Sequence, residues 1–141
     1  MVTIKEVLRF AKAKHQGQVD KNSVPYIQHI IRVARKTKSI DERILAILHD
    51  VLEDTDTTLE ELVNLGVEDK IIEALQLLTY QKGSNYQEYI YNLKKNNLAK
   101  AVKLADIADN TEPKRLEKLP IALRERLRKK YELALSILNE V

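Results

Sequence analysis

Three histidines, His15, His29 and His49, and no cysteine occur in the chain. Thiolate catalysis, disulfide stapling and a zinc ribbon are thereby excluded, and any metal site must be built from imidazole, carboxylate and backbone oxygen. The acidic run His49-Asp50-Val51-Leu52-Glu53-Asp54 is the densest concentration of such donors. On a helix, His49 and Glu53, and likewise Asp50 and Asp54, project from adjacent turns and can reach a common site. The plain alternative is a solvated acidic face, which spacing alone favours. A second pair, Asp106 and Asp109, lies four residues beyond the apolar Val102 and Ala105. Two carboxylates therefore point to a core edge, where each must be protonated, paired or bound to a cation. A divalent ion satisfies them, and so does an N-cap or a pairing with Lys103. His15, beside Gln16-Gly17 at a helix end, reads as structural, whereas His29 follows the rigid Pro25-Tyr26 entry.

The elements that must carry these groups are helical. Gly 3 and Pro 3 leave little turn chemistry, and apolar residues recur at spacings of three and four. Thr3-Ile4-Lys5-Glu6 fits a capping box that opens a helix with the stripe Ile4, Val7, Leu8, Ala11, ending near His15. After a loop to Pro25, a second helix starts around His29 and carries Ile30, Ile31 and Ala34. Ser39 caps a third running to about Asp54, with Ile44, Leu45, Ile47, Leu48, Val51 and Leu52 in one sector. Thr58 caps a short fourth closed by Gly66, and Ile71 to Leu78 and Tyr86 to Leu93 define two more. A seventh spans about Leu98 to Asn110. Beyond Pro113 and Pro120, residues 121–139 form a long helix with Leu123, Leu127, Tyr131, Leu135 and Leu138 inward. The expected fold is all-α, a single-domain bundle of about eight helices.

At 141 residues and 16.3 kDa the chain makes one domain, able to bury about two-thirds of its surface. With 32% charged residues and only short apolar runs, it has neither a transmembrane span nor a secretory h-region, and a cytoplasmic protein is expected. The net charge of +3 is mild for this length. The basic stretch Arg124, Arg126, Arg128, Lys129, Lys130 is interrupted by Glu125 and reads as a solvated helix face, so neither nucleic acid nor membrane is an expected partner.

Four blocks then occur in order: Ala11-Lys12-Ala13-Lys14-His15-Gln16-Gly17-Gln18, Pro25-Tyr26-Ile27-Gln28-His29, His49-Asp50-Val51-Leu52-Glu53-Asp54 and Val102-Lys103-Leu104-Ala105-Asp106. In sequence and spacing they resemble the HD superfamily, and more narrowly the hydrolase domain of RelA/SpoT-type alarmone enzymes, especially the small stand-alone forms. The resemblance covers nearly the whole chain. It implies that residues 1–141 are an HD-type phosphohydrolase domain without synthetase or regulatory parts, and that His29, His49, Asp50 and Asp106 hold one divalent cation, most often Mn2+. It further implies that Glu53 and Asp54 are the acid/base pair positioning the attacking water, and that Lys21 and Asn110 contact a small-molecule nucleotide substrate. The implied reaction is removal of the 3′-pyrophosphate from guanosine tetra- or pentaphosphate, (p)ppGpp. Lys21, Lys82 and Lys103 are candidates to neutralise a polyphosphate.

Three positions depart from the family pattern. In the loop Gln18 to Val24, usually basic and guanine-holding, only Lys21 matches; Ile30 replaces the usual Pro, and Ile107 stands where Arg often follows the metal aspartate. A second reading follows, with the same chemistry directed at another nucleotide. A third, a nucleotide-sensing module with a vestigial site, ranks last because every implied ligand is present.

Overall fold

The computed structural model describes residues 2–140. Among them are ten helices and one isolated bridge, Val19 to Pro25, with no extended strand. The all-α expectation therefore holds, and two short helices account for the higher count. No helix among the described residues is long and apolar enough to cross a membrane.

Local chemistry sets the helix ends. Thr3 and Glu6 close a reciprocal capping box at α1 (Ile4–Lys14), and Thr58 and Glu61 do the same at α5 (Leu59–Leu65), which Gly66 ends in the left-handed region. Ser39 caps α3 (Ile40–Leu48) through Glu42 N–H, but the Glu42 carboxylate turns to the backbone of Lys38. Each cap satisfies a backbone donor that the helix leaves unpaired, worth about 1 kcal/mol. Asn85 and Asn96 cap α7 (Tyr86–Lys94) and α8 (Asn97–Asn110); α6 is Asp69–Leu78 and α10 is Ile121–Leu138.

The third helix does not run unbroken to Asp54. The His49 ring takes the Ala46 carbonyl at 2.6 Å, the acceptor that residue 50 uses in a continuous helix, and Asp50 adopts φ −107°, ψ 0°. The chain restarts as the single turn α4 (Val51–Asp54). A second unforeseen turn, α9 (Pro113–Leu116), begins on Pro113, which needs no N–H partner there.

The core is centred on the C-terminal half of α3, where Ile44 to Leu48 are all buried, so that half is enclosed on every side. It packs against α1, α2 (Ile27–Arg35), α6 and α8, while α8 also meets α2, α6, α7 and α10. Ile30, Leu45, Leu48, Leu75, Ile90, Leu93, Ile107 and Leu138 are fully enclosed. Each such side chain contributes about 1.5–3 kcal/mol of burial. On α10 the inward stripe is shifted from the expected one: Tyr131, Ala134, Ile137 and Leu138 are buried, while Leu123, Leu127 and Leu135 are half-buried. Three mutually packed helices, α2, α3 and α8, thus meet where His29, His49 and Asp106 lie.

Candidate functional site

His29 enters from α2, His49 from the C-terminal end of α3, Asp50 from the break after it, and Asp106 from α8. Ligand atoms of His29, His49 and Asp50 lie within 4.8 Å of one another. Asp106 Oδ1 approaches His29 Nε2 to 3.0 Å and His49 Nε2 to 3.4 Å. His49 Nε2 is also 3.0 Å from Asp50 Oδ2. All four expected ligands therefore face one point.

Each ring is oriented from behind. His49 Nδ1–H donates to the Ala46 carbonyl, which leaves Nε2 as the acceptor nitrogen; that atom is buried and makes no hydrogen bond, despite the nearby carboxylate oxygens. His29 Nδ1 is 2.6 Å from Asp109 Oδ2, so its Nε2 likewise faces the cluster. An orphaned buried imidazole nitrogen beside two carboxylates is costly without a partner, and the N/O donor set suits a divalent ion. The residues present fit such a cation.

The electrostatics point the same way. Burial opposes charging His49, but the Asp50 and Asp106 carboxylates outweigh it and push its pKa well above the usual imidazole range. For His29, burial is again overcome, here by hydrogen bonds to Asp106 and Asp109. Burial disfavours ionised Asp106, yet Lys103, 3.3 Å from Oδ2, and the two rings hold its pKa well below the carboxylate range. Asp50 is also lowered against its burial, chiefly by His49, and Tyr26 donates its hydroxyl to Oδ2. This cluster of negative oxygens holds on to positive charge, whether as protons or as a cation.

Glu53 and Asp54 lie at the cluster's open side, with carboxylate oxygens within 4.8 Å of Asp50 and of one another. Glu53 Oε1 accepts the Tyr80 N–H at 2.7 Å, which fixes the side chain across from α4 and leaves Oε2 free. Burial and the Asp50 charge raise both carboxyls, with the Asp54 charge adding to the rise of Glu53 and the Asp106 charge to that of Asp54. Gln18 Nε2 anchors the Asp54 carbonyl at 2.8 Å, and Gln18 is in turn held by His15 Nδ1. His15 is buried and braces this loop against Tyr26, the structural role anticipated for it.

Above the cluster opens a cavity of about 370 Å³. Lys21 lies on its rim, exposed, in a hairpin-like loop whose backbone Asp20 ties by accepting from Asn22 and Val24 N–H. Asn110 lines it as well, but its amide donates to Asp106 Oδ1 at 3.0 Å. Lys103 lines the cavity and Lys82 does not. The opposite wall is aromatic, formed by Tyr80, Tyr86, Tyr89 and Tyr131, with Lys130 Nζ 5.0 Å from the Tyr86 ring.

Asp109 is not brought into the cluster. It lies 1% exposed behind His29, gripped by Arg32 and by Arg115. The sequence reading left out these two arginines and Tyr80, set Lys130 on a solvated helix face and took Tyr86, Tyr89 and Tyr131 as helix core. The available signals were Arg32 one turn beyond His29 and the three-residue offset of Asp109 from Asp106, which turns them to different neighbours on the same side of α8.

No protein-family model matches the chain. It is 34% identical over 118 residues to a guanosine-3′,5′-bis(diphosphate) 3′-pyrophosphohydrolase of Aquifex aeolicus, covering 76% of this chain and 17% of that protein. The MESH1 enzyme of the same name from Drosophila melanogaster is 36% identical over 118 residues, covering 74% of this chain and 65% of the fly protein. The chain thus spans less than two thirds of each of these relatives. Among solved structures, one described as a metazoan ortholog of SpoT that hydrolyzes ppGpp superposes with a TM-score of 0.81 at 27% identity, covering 96% of this chain and 85% of that one. The architecture is therefore the all-α, HD-type fold. Within that class the chain is a homologue of the RelA/SpoT-type (p)ppGpp 3′-pyrophosphohydrolases that its four motifs resemble.

Proposed function

We propose that this chain is a divalent-cation-dependent hydrolase that cleaves the 3′-pyrophosphate from (p)ppGpp, giving GDP or GTP and pyrophosphate. The carrying observation is the buried convergence of His29, His49, Asp50 and Asp106, with an unpartnered imidazole nitrogen, under a cavity rimmed by Glu53 and Asp54. The homologues named above support the substrate, and the N/O donor set supports Mn2+ as the resident ion. When bound, the ion lowers the pKa of water and screens charge on phosphorus.

The remaining steps belong to the chain. Glu53, held by the Tyr80 N–H, presents Oε2 to the attacking water and takes its proton as the oxygen–phosphorus bond forms and the bond from phosphorus to the ribose 3′-oxygen breaks. Asp54, the second member of that acid/base pair, supplies the proton that the leaving 3′-oxygen takes up. Lys103, Lys130 and Lys21 surround the cavity and offset polyphosphate charge. Asn110 orients Asp106 and faces the same cavity, where it contacts substrate. In this reading residues 1–141 act as one hydrolase domain on a cytoplasmic small molecule, with no nucleic acid or membrane partner.

A second reading keeps the chemistry and changes the nucleotide. The observation favouring it is the loop from Gln18 to Val24, where Asp20 is spent on the loop's own backbone and Lys21 alone supplies positive charge. Purified protein with Mn2+, offered a nucleotide panel, separates the two. Cleavage of guanosine tetraphosphate with release of pyrophosphate is the expected result. No cleavage of it alongside turnover of another nucleotide establishes the second reading, and full activity after metal stripping overturns both.

A further inference from the structure

The two imidazoles of the cluster are locked by different means. His49 leans on a backbone carbonyl, which can only accept; His29 leans on a side chain, Asp109, which is itself held. Asp109 Oδ1 accepts from Arg32 Nε at 2.8 Å and from Arg115 Nη2 at 2.7 Å. Its Oδ2 accepts from Arg32 Nη2 at 3.1 Å and faces His29 Nδ1 at 2.6 Å. Arg115 also donates to the Asp109 carbonyl, closing α9 against the end of α8. With three guanidinium contacts made, the carboxylate has one strong acceptor direction left, and that direction ends on His29.

We propose that Asp109 is a positioning residue of the cation site: fixed by Arg32 and Arg115, its carboxylate accepts the Nδ1 proton of His29 and so keeps the Nε2 lone pair aimed at the point shared with Asp50 and Asp106. The inference rests on reading the cluster as a cation site. It assigns Arg32 and Arg115 to the same task at one remove, because they decide which carboxylate oxygen meets the ring.

That arrangement makes an unusual ordering of variants. In Asp109→Asn, the carbonyl oxygen belongs at the Oδ1 position, where two guanidinium donors demand an acceptor. The amide NH2 then meets His29 Nδ1 and donates to it, and the ring is driven to carry its proton on Nε2, pointing into the cluster. In Asp109→Ala nothing faces Nδ1, and the ring keeps access to the useful tautomer. The isosteric variant is therefore the more damaging, the reverse of what a purely space-filling role gives.

Two measurements decide this without substrate. Calorimetric titration of the metal-free protein with Mn2+ is expected to show a dissociation constant raised about 10–100-fold in Asp109→Asn, and raised less in Asp109→Ala. Long-range 1H–15N spectra of the metal-free protein, with the ring neutral, are expected to place the His29 proton on Nδ1 in the unaltered chain and on Nε2 in Asp109→Asn. Affinity in Asp109→Asn that equals or exceeds that of Asp109→Ala, with the proton kept on Nδ1, overturns the proposal. So does a wild-type spectrum with the proton on Nε2, which needs no variant to fold. A wild-type chain that takes up no Mn2+ sinks the functional reading instead, and the tautomer still decides the role of Asp109.

Discussion

The floor of the cavity and its rim are built on different terms. At the floor, His29 and His49 are each 4% exposed and Asp106 7%, and each of the four proposed cation donors has a second contact that fixes it. Asp109 and Ala46 hold the rings, Tyr26 holds Asp50, and Lys103 and Asn110 hold Asp106. At the rim, Lys21 is exposed and makes no side-chain hydrogen bond or ion pair among the described residues, while Glu53 has a single backbone partner. Burial removes water as an alternative partner at the floor, so a misplaced group there is costly and the geometry is overdetermined. The rim pays no such penalty. On the proposed function, what the molecule fixes rigidly is the place of the reaction, and what it leaves adjustable is the grip on the rest of the substrate.

The floor breaks first. His49→Ala or Asp50→Ala removes a donor that nothing else replaces, and Mn2+ binding and turnover are both expected to fall below detection in calorimetry and in a pyrophosphate-release assay. Retained turnover in either variant would show that the cluster is not the reaction centre. Glu53→Gln is the next largest change. The amide still accepts from Tyr80 but takes no proton, so Mn2+ affinity is expected to stay within about threefold while kcat falls roughly 10²–10⁴-fold. Equal losses in affinity and rate would instead make Glu53 a ligand.

The same division explains what could be read in advance. The capping boxes at Thr3 and Thr58 and the apolar stripes are local signals, and local signals placed most of the helices. The four side chains proposed as cation donors were picked out by ordered motifs, and the fold brings them to one point. The break at His49 was not legible: a helical wheel runs smoothly through residues 44–54, and only a ring that takes the Ala46 carbonyl stops it. Asp109 was seen as a buried carboxylate but not as the partner of His29, because the contact joins residues 80 apart and the decisive Arg115 arrives on a turn that two prolines merely hinted at. Of the tyrosine wall, Tyr86, Tyr89 and Tyr131 were read as core positions of their helices. Tyr86 and Tyr89 do pack inward, yet the same rings face the cavity, a double use that periodicity cannot separate.

Smaller effects sharpen the contrast. Burial and the neighbouring Asp50 raise the Glu53 carboxyl above the ordinary glutamate range, so its active, ionised form appears only at higher pH. The acid limb of kcat/KM is therefore expected to sit above that range, and activity to fall as pH drops through it. A limb at or below the range of a free glutamate counts against Glu53 as the base. Lys103 tests the floor from its other side. Its side chain is 12% exposed, and its ammonium sits 3.3 Å from Asp106 Oδ2 and competes with a cation for the same carboxylate. In Lys103→Met the buried positive charge is gone, and Mn2+ affinity is expected to rise about 3–30-fold, while KM for an anionic nucleotide rises as well. Weaker Mn2+ binding would mean that Lys103 serves chiefly to hold Asp106 in place.

The mildest change belongs at the rim. Lys21 contributes one solvated charge from a loop whose shape is set by Asp20 and by Ser23 at φ 62°, so its removal disturbs no packing. In Lys21→Ala, kcat, Mn2+ affinity and the melting temperature are expected to hold, and KM for guanosine tetraphosphate to rise about two- to fivefold, an effect that added salt diminishes because the charge is exposed. A KM insensitive to this substitution for guanosine tetraphosphate but raised for another nucleotide would move the substrate assignment to that nucleotide and leave the floor as described. A collapse of kcat would be the more disruptive result, since it would extend the rigid part of the site to a side chain that has nothing holding it.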